Sequence, residues 1–171
     1  MFLDFLKKFL LKRKLKQAFG ILPDHFSDDK IKTVGLIIDE TYFSGKEQLL
    51  QELIATGIEQ KSITLLLYHD KNKKRDTNFT SFSLKSVSWT GAIGDQEIKD
   101  FKAKNFDLLI SYYDVEKAPL LLVTQRSQAK FKVGFATIDK KYNHFSIEIV
   151  AEKSTIFVQE LFKYLKILNK I

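Results

Sequence analysis

Phe106-Asp107-Leu108-Leu109-Ile110-Ser111-Tyr112-Tyr113, then Pro119-Leu120-Leu121-Leu122-Val123, then Lys130-Phe131-Lys132-Val133-Gly134-Phe135 is the stretch from which the fold can be read. The first run is almost unbroken apolar sequence, as in a strand buried on both faces of a parallel sheet. Asp114 breaks it. Pro119 fits a first helical turn, where its missing N–H is not needed, and the apolar residues after it predict a helix buried on most sides. The last run alternates with period two. A helix between two such strands is the crossover that parallel pairing requires, so the stretch reads as one β-α-β unit.

The same grammar extends outward. Lys32-Thr33-Val34-Gly35-Leu36-Ile37-Ile38-Asp39 reads as a buried strand ending in an acid. Ser44-Gly45-Lys46-Glu47 has the form of a capping box opening a helix to about Thr56, which Gly57 ends. Ser62 to Tyr68 gives the next strand. Phe79 to Trp89 suggests an outer strand whose phase slips once, as at a bulge. Asp95 to Lys104 suits a short charged helix with Ile98 and Phe101 inward. Downstream, His144 to Val150 alternates like an edge strand, and Ser154 is placed to cap a last helix that leaves Lys163, Lys166 and Lys170 to solvent. The expected fold is a three-layer α/β domain over residues 30–171. Its sheet is open, mainly parallel and Rossmann-like or flavodoxin-like, with five or six strands.

Ahead of that domain stands a basic segment. Residues 1–20 hold six Lys or Arg against one Asp, a net +5 of the chain's +7. At about 100° per residue a helix over residues 1–22 carries two apolar stripes. Phe2, Leu3, Phe5, Leu6, Phe9 and Leu10 form one, and Leu11, Leu15, Ala18 and Phe19 form another. One stripe can dock on the domain, leaving the other, flanked by Lys7, Lys8, Lys12 and Arg13, for an anionic membrane surface, a second copy of the chain or a partner protein. Gly20, Pro23, Asp24, Asp28 and Asp29 read as a linker after it.

The 171 residues suit one domain, and a 44% apolar content with fifteen Phe supplies a core for it. The absence of Cys excludes disulfides and thiolate chemistry and fits a reducing compartment. No run approaches the roughly 18 apolar residues of a membrane-spanning helix, and charges interrupt any secretory core. The expected location is cytoplasmic, with the basic helix able to lie on the inner face of the membrane. A nearly neutral body without an aromatic platform motif disfavours nucleic acid, and the basic loop of Lys71, Lys73, Lys74 and Arg75 lacks interleaved aromatics.

Ligands of open parallel sheets collect beyond the C-terminal strand ends. The polar residues expected there are Asp39, Glu40 and Thr41 after the first strand, His69 and Asp70 after the second, and Tyr113 and Asp114 after the central one, with Ser44, Gly45 and Lys46 as a candidate anion contact. His69 and Asp70 are the one adjacent acid–base pair. Glycine-rich phosphate loops and the serine-hydrolase elbow are missing, and His25, His69 and His144 are dispersed without metal-ligand spacing, so no cofactor or metal is expected.

Asp107-Leu108-Leu109-Ile110-Ser111-Tyr112-Tyr113 and Ser127-Gln128-Ala129-Lys130-Phe131-Lys132-Val133-Gly134-Phe135, with Trp89-x-Gly91 and the basic helix upstream, resemble an uncharacterised family of short bacterial proteins, a domain of unknown function. That resemblance implies no activity. Over Ala129 to Phe135 and the strand before it, the chain is also similar to nucleotide-sugar glycosyltransferases of the heptosyltransferase type. Two functions are therefore carried forward: a non-enzymatic module working through its N-terminal helix, and a small transferase- or hydrolase-like enzyme, or a remnant of one, holding an anionic small molecule at the strand ends.

Overall fold

The computed structural model describes residues 2–17, 30–70 and 79–171. The Phe2 side chain, His25, the linker between helix and domain, and the basic loop at Lys71, Lys73, Lys74 and Arg75 lie outside the described residues. The elements are α1 (Phe2–Gln17), β1 (Val34–Asp39), α2 (Lys46–Ala55), β2 (Ile63–Tyr68), β3 (Thr80–Phe82), α3 (Gln96–Ala103), β4 (Leu108–Tyr112), α4 (Ala118–Arg126), β5 (Phe131–Phe135), β6 (Phe145–Ile147) and α5 (Ser154–Ile167). The six strands form one sheet in the order β3-β2-β1-β4-β5-β6, with every pair parallel. That is the order of the doubly wound Rossmann type.

Burial explains the order. All residues of β1, β4 and β5 are buried, which suits strands covered on both faces. The crossovers β1-α2-β2 and β4-α4-β5 leave the sheet centre in opposite directions, so right-handed connections place α2 and α4 on opposite faces. Helix α5 packs beside α2, whereas α3 and α1 pack against α4. Tyr112 meets the rings of Phe135 and Phe157 at centroid distances of 5.1 and 5.0 Å, tying β4, β5 and α5 into one aromatic cluster.

Several local expectations are corrected. Only Thr80–Phe82 is strand in the serine-rich segment; Ser83 then accepts the Lys85 N–H at 3.2 Å and bends the chain into a 3-10 turn at Leu84–Ser86, which is the phase slip. The N-cap of α2 is Gly45 rather than Ser44, and no side chain caps it; a Cβ on Gly45 would stand 2.9 Å from the Phe43 ring. Lys153, not Ser154, precedes α5, and Ser154 is buried in the helix's first turn rather than capping it. Lys170 is buried rather than solvated. Asn169 takes a positive φ of 54°, the chain doubles back after α5, and the Lys170 ammonium comes to rest 5.3 Å over the Phe131 ring.

Candidate functional site

The sheet's strand order reverses between β1 and β4, and the crevice above their C-terminal ends is the usual ligand position in this architecture. Asp39 ends β1 and is only 4% exposed. Its Oδ1 accepts the Thr41 N–H at 3.0 Å, and its Oδ2 stands 2.7 Å from the Nζ of Lys117, the residue just before α4. The same ammonium lies 2.9 Å from Oδ2 of Asp70 and 4.4 Å over the ring of Tyr42. Asp70 also accepts the Tyr68 hydroxyl at 2.8 Å. Burial would raise the Asp70 carboxyl, but Lys117 and that hydroxyl outweigh it and hold the group below its ordinary range.

A second cluster adjoins the first. Lys46 Nζ pairs with Glu40 at 2.9 Å, and His69 Nε2 faces the other Glu40 oxygen at 3.3 Å. His69 and Asp70 are therefore neighbours in sequence that serve different partners, because side chains leaving a strand point to opposite sides in turn. Ser44 is exposed and belongs to neither cluster. Tyr113 is buried, with its hydroxyl on Thr124 at 2.7 Å. Lys117 was missed in the sequence. Its signal was the single lysine in the loop that leaves the central strand for α4, where strand-end acids need a cation.

Beside these ion pairs a cavity of about 270 Å³ opens directly over the β1/β4 reversal. Tyr42, Phe43 and Tyr112 form its aromatic walls, and Asp39, Asp114 and Glu152 its carboxylates. Among the described residues no three His, Asp or Glu converge to hold a metal ion.

The other feature is α1. Leu11 and Leu15 are 0% and 2% exposed and join the core, while Lys7 Nζ donates to the Leu84 carbonyl at 2.9 Å and Lys14 Nζ to that of Thr90 at 3.2 Å. Gly91, at a φ of 79° that favours glycine, lets the chain pass close beneath; a Cβ there would lie 3.6 Å from Leu11. Lys7 is thus a tether. The opposite stripe is open: Leu3, Phe5 and Phe9 are 65%, 68% and 57% exposed, and Leu6 is 36% exposed. Lys8, Lys12 and Arg13 are exposed beside them. A groove of about 300 Å³ separates Phe5, Lys8, Phe9 and Lys12 from the start of α4. Among the described residues no helix is long and apolar enough to cross a membrane.

A protein-family model described as a family of unknown function, DUF6913, matches residues 5–168. The chain belongs to this family. No curated protein and no solved structure matches it. Several of the motif residues that carried the resemblance do structural work away from the crevice, whereas Tyr112 and Tyr113 line its cavity. Asp107 Oδ2 accepts the N–H groups of Lys32 and Thr33 and its Oδ1 pairs with Lys130 at 3.0 Å, which fixes the start of β1 against β4 and β5. Burial alone would raise its carboxyl, but these partners hold it below the ordinary range. Ser127 accepts the Ala129 N–H, and Gly134 leaves room for the buried Asn143 side chain.

Proposed function

We propose that the protein is a binding module that lays α1 on an anionic membrane surface. The observation that carries this reading is the division of α1 into a docked stripe, Leu11 and Leu15, and an open stripe of Leu3, Phe5 and Phe9 bordered by Lys8, Lys12 and Arg13. A helix held flat in this way presents apolar side chains to the acyl boundary and cations to the headgroups. Each such cation near an anionic leaflet contributes about 1 kcal/mol, enough in concert with aromatic insertion for reversible binding. The test is vesicle flotation of the intact protein with phosphatidylcholine alone and with added phosphatidylglycerol. Binding should need the anionic lipid, weaken as salt rises, and be lost in Phe5→Ser/Phe9→Ser. An intact protein that stays unbound on anionic vesicles at low salt would overturn the reading. Point substitutions are preferred to deletion of residues 1–20, which would also strip Leu11 and Leu15 from the core.

A second reading is favoured by the cavity over the strand reversal. Its three carboxylates repel an anion, so we infer that its ligand is cationic, held by carboxylate and aromatic ring as Lys117 is held by Asp39 and Tyr42. Tetramethylammonium should raise the melting temperature in a saturable way, and Asp114→Asn should weaken that effect. A response matched by the same concentration of sodium chloride would sink this reading.

A further inference from the structure

We infer that the groove between α1 and the start of α4 is a subsite for the phosphate of an anionic phospholipid, a conclusion that rests on the membrane reading of α1 and gives it a headgroup. The groove is basic on one wall and apolar at its mouth. Lys8 and Lys12 lie one helical turn apart on the α1 wall, and neither has a hydrogen bond or ion pair among the described residues. Lys8 is near enough to lower the Asp70 carboxyl electrostatically.

The other charges facing the groove are already engaged. Lys117 is held by Asp39 and Asp70, and Glu116 accepts the Asp139 N–H at 3.1 Å. Glu116 keeps its negative charge on the α4 side, so the positive excess lies on the α1 wall, where Lys8 and Lys12 stand. Helix α4 opens at this point without a side-chain cap, which adds the positive end of a helix dipole to the facing wall. An anion is the complement of such a lining. Phe5 and Phe9, both more than half exposed at the mouth, give an acyl chain a path outward that inorganic phosphate or glycerol phosphate does not use. The occupant is a lipid rather than its soluble headgroup.

The test is an amide NMR titration of the full chain with monomeric dihexanoyl phosphatidylglycerol, in parallel with dihexanoyl phosphatidylcholine and with glycerol phosphate. The expected result is saturable shifts at Ala118, Leu120, Phe5 and Phe9 with the anionic lipid, and affinity about ten-fold weaker in Lys8→Gln/Lys12→Gln, the loss expected when charge-assisted contacts to phosphate are removed. Phosphatidylcholine and glycerol phosphate should each bind more weakly. Shifts that are absent, that are undiminished in the double variant, or that glycerol phosphate reproduces at equal concentration overturn the assignment. So do shifts at the same amides that follow protein concentration without lipid, which would give the groove to a second copy. If flotation fails while the titration saturates, the membrane reading falls and the phosphate–lipid subsite stands.

Discussion

Lys117 stands where two strand-end acids would otherwise face one another. With a side chain 11% exposed against an Asp39 side chain at 5%, it is the cation of a largely dehydrated cluster, and removing it strands the acids rather than merely deleting an attraction. We predict that Lys117→Met lowers unfolding stability by about 3 kcal/mol, the loss usual when one partner of a buried pair is removed. Adding Asp39→Asn should restore part of it. Denaturant melts of the two variants decide the point, and equal stability of both would mean that Asp39 is not the partner that matters. At this scale the sequence was only half legible. A polar residue after each buried strand showed which acids crowd the sheet top, but the lysine that joins Asp39 to Asp70 comes from a distant loop, and pairing across the fold leaves no local pattern. For the same reason His69 and Asp70 read as a pair although Glu40 takes one and Lys117 the other.

Helix α4 has a lysine at each end, and the two do different things. Lys132 reaches from β5 to donate to the carbonyls of Thr124 at 2.8 Å and Gln125 at 3.3 Å, closing the helix's C-terminus with a buried ammonium. Burial holds that ammonium down at about 8 against an ordinary 10.5. Between those values the unfolded chain keeps a proton that the folded protein has released, so stability is lowest below 8 and rises with pH across the window, by up to about 3 kcal/mol. Melts at pH 8 and 10 should show the rise, and Lys132→Met should flatten it. Above 10 the comparison fails, because burial raises the Tyr112 and Tyr113 hydroxyls and their ionisation favours the unfolded chain. An unchanged slope in the variant would assign the rise to other groups. Elements were read well where periodicity decides, as in β1, β4 and α4, and poorly where a single side chain does. Ser44 and Ser154 look like caps by type, yet Phe43 packs so closely that glycine must take the cap of α2, and Ser154 is buried within the first turn of α5. Lys132 looked like the polar half of an alternation because its partner, a helix end, is not encoded in β5.

At the scale of the molecule, the β-α-β stretch from Phe106 to Phe135 was sufficient for the class of fold, since only parallel strands bury both faces and need helical crossovers. Strand order was not legible. It depends on which way each crossover turns, and that is settled by packing of α5 on α2 and of α1 on α4 rather than by any segment alone. The two stripes of the N-terminal helix were visible as a periodicity, but which one faces inward became clear only from the surface that Leu11 and Leu15 meet. The sheet's borders carry a last consequence. Strands β3 and β6 are three residues long, so each rim exposes too short a ladder of N–H and C=O groups to template an added strand. Joining end to end through the sheet, as amyloid-like or strand-swapped assemblies do, is thereby discouraged, and many copies could crowd side by side without seeding a continuous sheet.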